Sequence, residues 1–252
     1  MKKELNIFYN ALLFFSRIPV PRNLEFSEEI QTKAFRYFPL VGIIVGVVGG
    51  LAYEVADLFF SRIIASILMI IVMLLTTGCL HEDGLADFFD GFGGGTLKEQ
   101  ILAIMKDSHI GTYGVIALIM LFVLKVALLS HIYNRDFIYV IIAAQAFSRL
   151  SPMLLINTSQ YARTEPSKGQ FTRNKIDLTT LIVGLLFGLL PLIFFNAWFI
   201  VSILTVATLF FFCYRRYLHK KIDGFTGDTL GALQQFGELL FYLVFTATQY
   251  TA

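Results

Sequence analysis

Residues 63–95 read IIASILMIIVMLLTTGCLHEDGLADFFDGFGGG. The first half is a membrane sequence. The second half places Glu82, Asp83, Asp87 and Asp90 within nine residues and then adds a run of glycines. Carboxylates at the edge of a bilayer cost free energy, so something must offset that cost. The nature of the offset bears on both fold and function.

The apolar half is typical of the chain. Of its 252 residues 56% are hydrophobic and only 15% charged, against roughly 25% charged in a soluble domain. Mean hydropathy is +0.70. A span needs about 20 mostly apolar residues. Seven segments qualify: about 39–60, 63–80, 112–133, 137–157, 178–195, 197–214 and 229–250. Pro191 and Asn196 mark a break in the nearly continuous stretch 178–214. The expected fold is all-α: a polytopic membrane helical bundle of about seven spans with amphipathic surface helices. No linker, low-complexity tract or internal repeat divides it, so residues 1–252 are read as one domain. The N-terminal MKKELNIFYNALLFFSRIPVP has a basic start and an apolar middle. Asn6 and Asn10 interrupt that middle and no small-residue cleavage site follows. This favours a retained amphipathic segment at the membrane surface over a signal peptide. Cys79 and Cys213 each end an apolar run and read as free thiols that pack.

The cations report orientation. Outside the spans they fall at the N-terminus (Lys2, Lys3, Arg17, Arg22, Lys33, Arg36) and in three alternate loops. Those loops hold Lys98 and Lys106; Arg163, Lys168, Arg173 and Lys175; and Arg215, Arg216, Lys220 and Lys221. The intervening loops hold only Arg62 and Arg135. This asymmetry puts the N-terminus and the three long loops in the cytoplasm. A net charge of +2 names no partner, and no nucleic-acid partner is expected.

With the loops on one side, the acidic stretch acquires a reading. Asp83, Asp87 and Asp90 are spaced i, i+4, i+7 and lie within roughly 60° of one another on a helix. Glu82 points elsewhere. Like charges on one face repel, and a divalent cation relieves them. Hard oxygen ligands suit Mg²⁺ or Mn²⁺, held by one or two carboxylates together with substrate phosphates. Gly84 and Gly91, with Gly93, Gly94 and Gly95, are expected to leave room for a bulky ligand. The alternative is a solvated helix end that happens to be acidic.

Three further stretches accompany the cluster. In TLKEQILAIMKDSHIGTYGV, Leu97, Ile101, Ile104 and Met105 form an apolar face, expected on the membrane surface. Asp107, next to Ser108, is read two ways: as a further ligand, or as the N-cap of the next span. In NTSQYARTEPSKGQFTRNK, Arg163 and Lys168 are candidates to hold phosphate. Arg173 and Lys175 are assigned to lipid and topology. In DGFTGDTLG, Asp223, Thr226 and Asp228 lie among Gly224, Gly227 and Gly231, a turn able to cradle an anion on backbone N–H groups. No histidine is assigned as a ligand. These parts suit transfer to an acceptor hydroxyl from a diphosphate donor. The absence of a P-loop, a GxSxG motif and a cysteine-based metal site argues against ATP hydrolysis, serine hydrolysis and zinc.

HEDGLADFFDGFGGG, MKDSHIGTYGV, YARTEPSKG and GFTGDTLGA occur in the order of the bacterial cobalamin synthase family (adenosylcobinamide-GDP ribazoletransferase), as do FFSRIPVP and YFPLVGIIVG. The chain resembles that family over nearly its whole length. The resemblance implies that adenosylcobinamide-GDP and α-ribazole, or its 5′-phosphate, are joined with Mg²⁺ to give adenosylcobalamin, or its 5′-phosphate, and GMP. It implies a multi-pass protein of the bacterial inner membrane and leaves a homo-oligomer open. It makes Asp83, Asp87 and Asp90 the metal ligands and Asp228 and Asp107 the further acidic candidates, for a catalytic role. Gly84, Gly91, Ser108, Arg163, Lys168, Thr226 and Gly227 become candidates for substrate binding. The chain departs from the family pattern at His109 and around Glu165.

Two other classes compete. A membrane prenyltransferase also joins Asp-rich motifs to Mg²⁺ and a diphosphate, but DGFTGD is a poor second copy of such a motif. A transporter places charges along a pathway in mid-span. Here the only cations inside spans are Lys125 and Arg149, with Glu54 and Glu238 among the acids.

Overall fold

The computed structural model describes residues 2–132, 134–163 and 174–250. Twelve helices follow in chain order among them. They are α1 (Lys2–Phe15), α2 (Glu28–Ala34), α3 (Phe38–Asp57), α4 (Arg62–Thr77), α5 (Leu80–Gly94) and α6 (Lys98–Ile104). Then come α7 (Thr112–Leu129), α8 (Asn134–Phe147), α9 (Leu150–Thr158), α10 (Leu178–Leu189), α11 (Ala197–Ile222) and α12 (Gly227–Tyr250). No strand forms among the described residues; the chain is an all-α polytopic membrane bundle.

All seven expected spans are helical, but fewer stand as full spans. Five segments are long and apolar enough to cross a bilayer: Glu28–Asp57, Thr112–Leu129, Asp136–Thr158, Ala197–Ile222 and Gly227–Gln249. Leu178–Phe194 is shorter, and its end tightens into a 3-10 turn at Pro191. The stretch around residue 78 differs most from expectation. α4 stops at Thr77, and α5 leaves it at 92°. Gly78 and Cys79 are both left-handed, at φ 68° and 59°, and two such residues in series reverse the chain direction. The pair counts as a sixth span only if it is one broken crossing.

α7 and α11 are the most lipid-exposed spans, while α8–α9 and α12 are the most enclosed. Close packing at the centre uses small residues. A Cβ on Gly46 of α3 would lie 2.7 Å from the Ile142 Cα of α8. Three surface expectations change. α1 buries Ile7, Ala11, Leu12 and Phe15 against the bundle. Ile101 and Met105, around α6, are buried in the core under α5. Both cysteines are free, but both are exposed.

A polar chain runs through the interior of the bundle. Lys125 of α7 pairs with Glu238 of α12 at 2.9 Å, their side chains only 4% and 2% exposed. Lys125 Nζ also donates to Gln235 Oε1 at 2.8 Å. Gln235 Nε2 donates to Glu82 Oε1 of α5 at 2.8 Å. Gln234 Nε2 donates to Ser148 Oγ at 3.0 Å, and the Tyr242 hydroxyl to Glu238 at 3.1 Å. Arg149, fully buried, donates to Gln145 Oε1 at 2.9 Å and lies over the Phe38 ring. Two acids thus offset two bases in the interior, where an uncompensated charge is costly. Lys125 and Glu238 thus close on each other and Arg149 on Gln145, while Glu54 is exposed.

Removing one partner of the Lys125–Glu238 pair strands a buried charge, a loss of about 3–5 kcal/mol. Lys125→Met is expected to lower the unfolding temperature of the detergent-solubilised protein sharply. Lys125→Met combined with Glu238→Met is expected to recover most of it. Equal losses in the single and double variants would contradict the pairing.

Candidate active site

α5 carries the acidic face, and its depth in the protein changes along the helix. Asp83 is exposed, Asp87 half-buried and Asp90 buried. Glu82 projects the other way, into the polar chain described above. α5 can hold this position because it packs closely on α12. A Cβ on Gly84 would lie 2.8 Å from the Asp228 carbonyl oxygen and 3.3 Å from the Gly231 Cα. The crossing therefore sets Asp228, in the first turn of α12, beside the aspartates of α5. The charges acting on Asp87 are, in order, Asp228, Asp83, Arg163 and Asp90.

Asp90 is committed to the backbone. Its Oδ2 accepts from Gly111 N at 2.7 Å and its Oδ1 from Gly114 N at 2.9 Å. It thereby caps α7 from a different helix, satisfying N–H groups that lack partners inside their own helix. Side chains at Gly111 or Gly114 would collide with its carboxylate. The α7 cap expected of Asp107 is supplied from α5.

A backbone strap places the cation. Ala162 N donates to Phe225 O at 2.8 Å, and Phe225 N to Gln160 O at 2.9 Å. The two segments form an isolated parallel bridge, Tyr161 with Phe225. Gly224 is needed there because a side chain would strike the Gln160 carbonyl. The strap delivers Arg163 to Asp228, Nη2 to Oδ2, at 2.7 Å. Thr226 is fully buried and works locally. Thr226 N donates to Thr229 Oγ1 at 2.9 Å, Thr229 N returns to Thr226 Oγ1, and the Thr226 hydroxyl reaches Asp228 at 3.2 Å. This is a reciprocal cap on α12. Gly227 is exposed, and a Cβ there would meet nothing within 4 Å.

The other candidates stand elsewhere. Asp107 lies in an exposed turn, where its Oδ1 accepts from His109 N at 3.0 Å and meets His109 Nδ1 at 2.7 Å. Those bonds hold its carboxyl below the usual carboxylate range. Ser108 is exposed in the same turn. Gly84 and Gly91 are packing positions, not openings to a ligand: Gly84 abuts α12, and a Cβ on Gly91 would lie 2.6 Å from Met105 Cγ. Lys168, Arg173 and Glu165 lie outside the described residues. Sequence reasoning missed the tie from Glu82 to Gln235 and Lys125. The only signal was polarity at 234, 235 and 238 in an otherwise apolar span.

A family model described as cobalamin-5-phosphate synthase matches residues 7–246. The chain belongs to the cobalamin-5-phosphate synthase family. A Vibrio cholerae relative named adenosylcobinamide-GDP ribazoletransferase is 40% identical over 98% of this chain and 95% of its own length. Relatives of the same name from Vibrio parahaemolyticus and Shewanella frigidimarina are 39% and 36% identical, again over nearly both whole chains. No solved structure matches. The stretches that carry the resemblance converge in this chain: HEDGLADFFDG supplies α5, YAR the strap, and GFTGD the start of α12.

Asp90 and Asp83 are predicted to behave differently. Asp90→Ala leaves two N–H groups of α7 unsatisfied, a loss of about 1–3 kcal/mol, read as a lower unfolding temperature. Asp83→Asn, at an exposed position, is expected to fold as the parent does. A stable Asp90→Ala protein would refute the capping role.

Proposed function

We propose that this chain is an adenosylcobinamide-GDP ribazoletransferase of the inner membrane. It joins adenosylcobinamide-GDP to α-ribazole, or its 5′-phosphate, and releases GMP. The observation that carries the reading is the meeting of Asp83, Asp87, Asp228 and Arg163 in a chain that matches relatives of this name almost end to end.

The donor set fits Mg²⁺ in a limited sense. Asp83, Asp87 and Asp228 offer hard oxygen atoms in one charged cluster. Among the described residues, however, no group of three or more His, Cys, Asp or Glu is close enough to hold an ion alone. Mg²⁺ commonly takes only one or two carboxylates and completes its shell with water and substrate phosphate. Asp83 and Asp87 would hold it, with Asp228 adjoining. Asp90 is a poor third ligand, since both its oxygens are taken by α7. When bound, the ion supplies charge neutralisation at the diphosphate.

The protein's own groups account for the rest. Arg163, paired with Asp228, lies where a phosphate oxygen can share its guanidinium. Exposed Gly227 at the start of α12 lets a phosphate approach the backbone N–H groups. The acceptor hydroxyl oxygen forms a bond to the cobinamide-side phosphorus as the bond to the GMP oxygen breaks. GMP departs with the bonding pair, and the hydroxyl proton passes to a carboxylate of the cluster. The cation asymmetry of the loops supports a cytoplasmic location for this site.

Purified protein with adenosylcobinamide-GDP and α-ribazole is expected to release GMP only when Mg²⁺ and the ribazole are both present. Asp83→Asn or Asp87→Asn is expected to lower that rate at least 100-fold, on the order of a lost ion-binding or electrostatic group, while leaving membrane insertion intact. Full activity in both variants would sink the site assignment. For orientation, Cys79 and Cys213 would be replaced by Ser and Lys175 by Cys. Labelling of intact cells by an impermeant thiol reagent is expected to miss residue 175. Labelling from outside would reverse the topology.

A further inference from the structure

We propose that the end of α11 holds the phosphate headgroup of an anionic phospholipid. An open groove of about 620 Å³ there is lined by Phe212, Arg215, Arg216, His219 and Lys220. Its lining contains basic side chains and an aromatic ring but no acid. The proposal stands apart from the transferase reading.

Length places the groove at the headgroup level. α11 has 26 residues, about 39 Å at 1.5 Å per residue, against about 30 Å of hydrocarbon. Its lipid-facing side stays apolar through Leu209 and Phe212, 62% and 59% exposed, and then becomes basic. The last turns thus project from hydrocarbon into the polar layer, and the apolar-to-basic step matches a lipid's chain-to-phosphate step. A free anion has no use for Phe212; a phospholipid acyl chain does.

The cations divide by task. Arg215 donates through Nε and Nη2 to Thr158 O at 3.1 and 2.7 Å, and His219 Nε2 meets Ser159 Oγ at 2.8 Å. These two brace the start of the strap that leads to Arg163. Arg216 and Lys220 are exposed and spaced i, i+4, so they share a face. They are the groups left to grip a phosphate.

The test is native mass spectrometry of the full chain in detergent, titrated with phosphatidylglycerol or phosphatidylcholine. One phosphatidylglycerol is expected to stay bound in preference to phosphatidylcholine. Arg216→Gln with Lys220→Gln removes two interfacial cations and is expected to weaken it roughly 30-fold; Lys220→Gln alone, about fivefold. A charge-matched control, Lys2→Gln with Lys3→Gln, is expected to keep it. Equal loss in groove and control variants would mean diffuse attraction and overturn the proposal. So would equal retention of the two lipids, or displacement of the lipid by excess inorganic phosphate, which would make the groove a free-anion site.

Discussion

The constraint on which the structure depends is the need to hold a polar helix across a membrane bundle. α5 carries four acids yet packs among apolar spans. Its anchors are polar and specific. Glu82 is tied through Gln235 to the Lys125–Glu238 pair, and Asp90 is tied to the first amides of α7. Both tethers give a buried carboxylate a partner, Asp90 through both oxygens and Glu82 through Oε1, which is the condition for burying one. The Gly84–Gly231 contact then closes α5 on α12. Asp83 and Asp87 remain, the two acids of α5 that no such tether holds.

This separation resolves the question posed by the acidic stretch. Four carboxylates within nine residues do not share one job. Successive positions on a helix are about 100° apart, so Glu82 and Asp83 face different surroundings although adjacent. The polar interior of α12 serves the same end. Its first turn contributes Asp228 to the site, and residues two and three turns later fix the helix that opposes it. The strap from α9 completes the arrangement, because Arg163 supplies the positive charge that lets Asp228 sit near two other aspartates.

Much of this was legible in the sequence. Hydropathy located all seven apolar segments, and the i, i+4, i+7 spacing placed Asp83 and Asp87 on one face. The motif order pointed to the family. The 92° turn was not legible, because Gly78 and Cys79 look like an ordinary helix end. The glycines after Asp90 also misled. Their spacing is the same whether they admit a ligand or a neighbouring helix, and here Gly91 admits Met105. Asp90 was assigned by periodicity as though it were equivalent to its neighbours. Only the position of α7 distinguishes it, and that depends on residues 21 and 24 positions away. Long-range polar pairing of this kind leaves no periodic trace in one sequence.

We propose that α5 offers an ion too few ligands until the substrate adds its own. Binding of Mn²⁺, as a probe for Mg²⁺, measured by electron paramagnetic resonance with and without adenosylcobinamide-GDP, tests it most directly. The account predicts weak binding alone, tight binding with the nucleotide-linked donor, and loss of that gain in Asp87→Asn. Tight Mn²⁺ binding without the donor, unaffected by Asp87→Asn, would contradict it.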